Sequence, residues 1–273
     1  LQREPVELTG LPHDAAVQLI VKRTQKMVGG PISESDAGSI VELVGTVPLN
    51  LVLAAKVVLG EDLAALREAV GRRRVFARTK QEQQQGMLYR RILAHIRKRD
   101  PELEKVASPG LILRRITPEI IEKVLAAPCE LQLLDANHPA RLFDELAREV
   151  GLVDPYHESG ALWHLPALRR IMLPDLRATL GAVVEDIHRM AANYYSNSDT
   201  TMGRAEEIYH RLWIGASFEE LDRLWRPEFV PHLRGAYEEL EPQSKVWLAD
   251  KLGIELSSGV GAHADLAIWW RER

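Results

Sequence analysis

Apolar residues recur at three- and four-residue spacing along almost the whole chain, and proline or glycine breaks the pattern at short intervals. That rhythm restricts the chain to a succession of short helices, because a half-buried strand needs alternation every second residue. Asp14 is placed to cap a helix over 14–27 with Ala15, Leu19, Ile20 and Met27 on one face, and Gly29, Gly30 and Pro31 end it. Ser33 and Ser35 are candidate caps for a second helix that buries Ile40, Val41 and Val44. Pro48 then stands in the first turn of a third helix, over 49–59, where its missing N–H is harmless. That helix is apolar nearly all round, which puts it at the centre of its domain. A fourth covers 61–72.

The formal net charge of −4 conceals a band over 71–99 with ten basic residues against Glu82, so the rest of the chain carries −13. Such a band suits an acidic partner or internal docking. Its arginines could also grip nucleic acid, but a solvated helix face linking two domains is the preferred reading. A stretch at 81–85 that is glutamine except for Glu82 precedes a stripe of Met87, Leu88, Ile92 and Ile96. Thr117, Pro118 and Glu119 form a helix start, and a second helix from about residue 139 presents Leu142, Phe143, Leu146 and Val150 inward.

The texture changes after Gly151. Residues 152–154 and 161–164 are short strand candidates flanking a hairpin tip over 155–160. Helix–helix–hairpin is the order of a winged helix. A helix over 166–173 follows. From Pro174 onward the pattern is paired helices over 176–196 and 201–213, with shorter ones at 218–225, 229–240, 242–252 and 265–271. Their small and aromatic residues resemble degenerate tetratricopeptide (TPR) hairpins. Trp213, Trp225 and Trp247 fit inter-helix core. The adjacent Trp269 and Trp270 cannot both face one core, so one is expected to mark a partner contact.

Sites of chemistry are absent from this pattern. There is no phosphate-cradling glycine loop ending in Lys-Ser or Lys-Thr, no Gly-x-Gly-x-x-Gly, no His-Glu-x-x-His and no Gly-x-Ser-x-Gly. The single cysteine, Cys129, excludes an internal disulfide and a cysteine-rich zinc site, and it reads as a buried helix-end residue. No catalytic or metal-ligating residue is expected. No apolar run approaches the roughly 20 residues of a membrane span. No leader pattern opens the sequence, and its start at Leu1 without Met suggests an excised fragment. A reducing, cytoplasmic setting is expected.

Three stretches in order carry a family resemblance. The first comprises Leu8-Thr9-Gly10-Leu11 with Val44-Gly45-Thr46-Val47-Pro48-Leu49, which resembles the "GLPL" region of STAND-class signalling NTPases, the NB-ARC group. The second is Leu142 to Leu146 running to Leu152-Val153, similar to their winged helix. The third is Ala161-Leu162-Trp163-His164, similar in place to their Met-His-Asp motif, with Leu165 where the family has Asp. The resemblance implies a mainly α fold with a helical (ARC-like) domain over 1–72, a basic connecting helix over 73–100, a winged helix over 101–176 and a TPR-like tail over 177–273. It implies that Pro48 packs on the adenine and His164 reaches the β-phosphate of ADP in the intact protein. ATP or ADP with magnesium would be bound by a core lying before Leu1.

The function so implied is the regulatory and sensor part of a bacterial STAND-type ATPase. It would hold the core, its partner in cis, inactive, bind a ligand or protein through the tail and self-assemble on activation. The alternative is a winged-helix DNA-binding regulator with a helical ligand-sensing tail. The segment over 139–150 opposes it, since Arg141 and Arg148 face Asp144, Glu145 and Glu149. A plain assembly scaffold is the third option. Neither nucleic acid nor membrane is an expected partner.

Overall fold

The computed structural model describes residues 10–25, 31–60, 63–71, 80–149, 153–154 and 160–254. Trp269, Trp270, the helix expected over 265–271, Met27, Val150, the hairpin tip over 155–159 and residues 72–79 of the basic band lie outside them. Among the described residues the fold is mainly helical, with one small sheet. It divides into two compact units. The first takes the residues up to Glu104 together with Glu149, and the second takes Lys105–Arg148 and the residues from Val153 on. These boundaries differ from a four-part division at 72, 100 and 176.

Unit 1 contains α1 (His13–Thr24), α2 (Glu34–Val44), α3 (Pro48–Gly60), α4 (Leu63–Gly71) and α5 (Lys80–Arg99). Asp14 is not the cap of α1. Pro12 holds that position, and Asp14 lies inside the first turn, where its charge suits the helix dipole. The buried stripe is Ala16, Ile20 and Thr24, so Ala15 is exposed. Of the two serines before α2, Ser33 is the cap, its Oγ accepting from the Asp36 N–H at 3.1 Å. Replacing Ser33 by Ala should cost about 1 kcal/mol, read as a fall in the urea midpoint of unit 1.

Gly45 closes α2 at φ 76°, a conformation that residues with a Cβ rarely adopt. The turn it starts meets the incoming chain, where the Leu11 N–H donates to the Thr46 carbonyl at 2.9 Å. α3 begins at Pro48 and is central, packing on α1, α2, α4 and α5, with Leu51, Leu53, Ala54 and Ala55 wholly buried. α5 lays Leu88, Tyr89, Ile92 and Ile96 into this core. Its glutamines do structural work: Gln84 Nε2 donates to the Leu43 carbonyl at 3.0 Å and its Oε1 accepts from Asn50 at 3.2 Å. The helix expected as a connector is thus an integral wall of unit 1.

α6 (Pro101–Ala107) and a 3-10 turn (Pro109–Ile112) lead to β1 (Arg115–Ile116), a strand the sequence did not announce. Thr117 then caps α7 (Pro118–Ile120), which continues as a π turn over Ile121–Leu125, and α8 (His138–Ala147) follows. β2 (Val153–Asp154) and β3 (Leu162–His164) complete an antiparallel sheet of order β1-β3-β2, with Arg115 opposite Trp163 and Val153 opposite His164.

The next helix, α9 (Pro166–Leu180), passes through Pro174 without stopping and ends at Gly181, φ 37°. The boundary expected at 176 therefore falls inside a helix, because the packing of Leu168, Ile171, Met172 and Leu176 outweighs the one hydrogen bond that proline forfeits. α10 (Ala182–Ser196) and α11 (Thr201–Trp213) pack as a pair, followed by α12 (Phe218–Leu224). The single helix expected over 229–240 is instead α13 (Val230–Leu233) between two 3-10 segments, since Pro231 and Gly235 deny it continuity. α14 (Pro242–Leu252) closes the described chain. Trp247 lies at the heart of this end, edge-on to Trp225 at 5.6 Å and donating from Nε1 to Asp222 at 3.1 Å. Among the described residues no helix is long and apolar enough to cross a membrane.

Candidate functional site

Unit 2 buries several ionisable side chains, and Arg114, Glu206, Arg169 and Glu239 form a network around Tyr209. Arg114 precedes β1 and Arg115 opens it, and a strand-like alternation sends the two side chains to opposite sides. Arg114 turns inward, forking onto Glu206 of α11 at 2.7 and 3.1 Å and donating to the His232 carbonyl at 2.8 Å. Arg169 of α9 is 1% exposed. It forks onto Glu239 at 2.9 and 3.0 Å, donates to Tyr209 Oη at 2.7 Å, and binds the Leu111 and Leu113 carbonyls. Tyr209 in turn donates to Glu239 at 2.8 Å. Burial alone would lower the Arg169 pKa, but the Glu239 carboxylate outweighs it and the pKa rises. Burial likewise opposes ionisation of Glu239, and Arg169 overcomes it, holding the carboxyl below its usual range. Two cations and two anions thus balance inside the core, the condition under which buried charge is tolerated.

His164 ends β3 against this network. Its Nδ1 bonds the Leu113 carbonyl at 3.0 Å, the same oxygen that Arg169 holds. Burial, reinforced by the Arg169 charge, pushes its pKa down to about 3, so the ring is neutral at pH 7. Enclosed at 3% exposure among the described residues, His164 joins the hairpin to residues 113–114. Pro48 belongs to unit 1 and is exposed at the first turn of α3. The two residues the resemblance assigns to nucleotide fall in different units.

Beside the network, α10 and α11 bring His188 and His210 together, Nδ1 to Nδ1, at 2.8 Å. Trp213 stacks on His188 with ring centroids 4.9 Å apart, and Tyr195 stacks on His210 at 5.9 Å. Neither Nε2 has a hydrogen-bond partner among the described residues. Burial drives both pKa values well below the ordinary histidine value, with nearby arginines adding to it. No group of three or more His, Cys, Asp or Glu among the described residues could hold a metal ion.

On the surface of the same unit, a groove of about 900 Å³ runs between residues 115–123, the second half of α10 and the turn into α11. Arg115, Glu119, Lys123, Asn193, Tyr194 and Thr200 line it. Unit 1 has a second feature of interest, Glu149, which Lys56 and Arg99 (2.5 Å) both grip. Burial lowers the Lys56 pKa against the pull of that carboxylate.

Sequence reasoning did not single out Arg114, Glu206, Glu239, His188 or His210. The available signal was charge within an apolar helix stripe, as at Glu206 and His210 flanking Ile208 and Tyr209. Cys129 is buried, just past the π turn. Comparison with protein-family models, curated proteins and solved structures finds no match.

Proposed function

We propose that this chain is the regulatory and ligand-binding portion of a STAND-type signalling ATPase, whose nucleotide-binding core lies upstream in the same polypeptide. One observation supports the reading most. Helix, helix and hairpin follow in winged-helix order, a third strand joins the hairpin as β1-β3-β2, and helix pairs continue directly from it. In this reading α6 to β3 form the winged helix and α10 onward a TPR-like sensor. Gly10-Leu11 and Thr46, two parts of the first motif, meet in space, which favours a common GLPL-type element. Pro48 is exposed, as an adenine contact would need, and His164, the phosphate contact of this reading, bonds the Leu113 carbonyl. ATP or ADP with magnesium would belong to the upstream core, and the setting would be cytoplasmic.

The DNA-binding alternative gains nothing from α8, where Arg141 is already held by Asp135 at 3.0 Å beside Asp144 and Glu145. Reading the coding sequence upstream of Leu1 tests the proposal. A P-loop should lie roughly 150–200 residues away, about one domain, and the purified chain alone should not turn over ATP. Turnover by this chain unaided, or an upstream domain without a P-loop, would end it.

A further inference from the structure

Arg115 differs from the other arginines around it. Where Arg114 and Arg169 fork onto glutamates, Arg115 meets no carboxylate among the described residues. Its Nη1 donates to the Met202 thioether at 2.8 Å, a weak acceptor, and its guanidinium lies 5.6 Å from the Trp163 ring centre. Its buried Nε has no acceptor among the described residues. A buried guanidinium N–H without an oxygen partner is costly, and a fork of parallel donors is the shape that a carboxylate or phosphate satisfies.

The groove that Arg115 lines is built to leave that charge uncompensated. Its carboxylate, Glu119, is already taken by Lys123 at 2.6 Å and by the Tyr194 hydroxyl at 2.9 Å. Burial and that bond push the Tyr194 pKa up to about 12, so the phenol stays protonated and its ring forms a neutral wall. The Ser198 and Thr200 hydroxyls, 3.1 Å apart, edge the turn. Gly203 lets the turn pack this closely, since a Cβ there would sit 2.0 Å from Ser198 Oγ and displace that side chain. About 900 Å³ is ample for a small organic molecule.

We propose that this groove binds a small organic oxyanion, its carboxylate or phosphate seated on the Arg115 guanidinium and its body against Tyr194. The site deepens the reading of unit 2 as a ligand-binding element and rests on that reading alone. The upstream sequence can lack a P-loop while this site still binds, so the two failures are distinguishable.

Titration followed by the NMR signal of the Arg115 Nε–H tests it, with succinate, inorganic phosphate and neutral succinamide as probes at constant ionic strength. Succinate or phosphate should give a saturable shift and succinamide none. Tighter binding of one anion identifies carboxylate or phosphoryl as the recognised group. Arg115→Gln, read by calorimetry, should weaken binding roughly tenfold or more, the loss of a charge-assisted pair. Its circular dichroism should be unchanged, because Arg115 holds no carboxylate. Lys123→Ala should also weaken binding, by releasing the Glu119 charge. Equal affinity in Arg115→Gln, a response to succinamide matching succinate, or no saturable response to either anion would overturn the assignment.

Discussion

Arg169→Met should destabilise unit 2 by about 3–5 kcal/mol, the usual cost of stranding one partner of a buried ion pair. Glu239 is also enclosed, and without Arg169 its carboxylate keeps the Tyr209 hydroxyl as a hydrogen-bond donor but no paired cation. The Leu111 and Leu113 carbonyls lose a charged donor at the same stroke. In a unit of this size the fall in Tm should be on the order of 10 °C. Urea denaturation followed by tryptophan fluorescence measures it, because Trp213 and Trp247 report on the same end of the fold. A loss under 1 kcal/mol would show that the network is not load-sharing and that Glu239 finds water in the variant.

The double variant Arg169→Met, Glu239→Leu separates the charge from the packing. Apolar replacement of both members of a buried pair is often close to neutral, so the double variant should recover much of what the single one loses. The coupling energy should be of the order of 1–3 kcal/mol. Recovery here would mean that the pair specifies the arrangement of the 3-10 turn, α9 and α11 more than it stabilises it. The Leu113 carbonyl is shared with His164, so loosening Arg169 should also loosen the hairpin that His164 pins.

Much of the helical framework was legible because caps and breakers act locally. Ser33 and Thr117 each cap the helix that follows them, and Gly45 ends α2, all through contacts within four residues. What could not be read was whatever depends on distant partners. β1 is two residues long and exists because β3 offers it a ladder, so no alternation announces it. α9 survives Pro174 through packing that a local rule cannot see. The site suffers the same limit. His164 was visible as a strand-end histidine, but its neutral state depends on Arg169 and on burial. Arg115 could be seen as basic, while its lack of a carboxylate appears only once Arg114 and its neighbours have claimed theirs.

Acidification should unfold unit 2 well above the pH at which carboxylates titrate. His164, His188 and His210 are buried, and burial lowers the pKa of each, to about 3 for His164 and well below 6.5 for the other two. Unfolded, each returns to about 6.5. The unfolded chain therefore binds more protons below that value, so the stability these groups contribute is complete above pH 6.5 and is lost as the pH falls. Summed over three histidines the loss is about 4 kcal/mol between pH 7.5 and 5.5. The paired rings explain why neither accepts a proton readily. With Nδ1 atoms 2.8 Å apart, one ring must donate and the other accept. A proton on the acceptor's Nδ1 destroys that bond, and a proton on the donor's Nε2 creates a buried cation with no partner. Arg114, Arg169 and Arg177 nearby raise the cost further. Glu239, held ionised by Arg169, adds its own loss only at lower pH, below about 4.5. Denaturation midpoints at half-unit steps from pH 8 to 5 should thus fall steeply below 6.5, with uptake of close to three protons on unfolding at pH 5.5. His210→Gln should reduce that uptake by about one proton. A flat profile down to pH 5 would mean that these rings reach water in the folded protein.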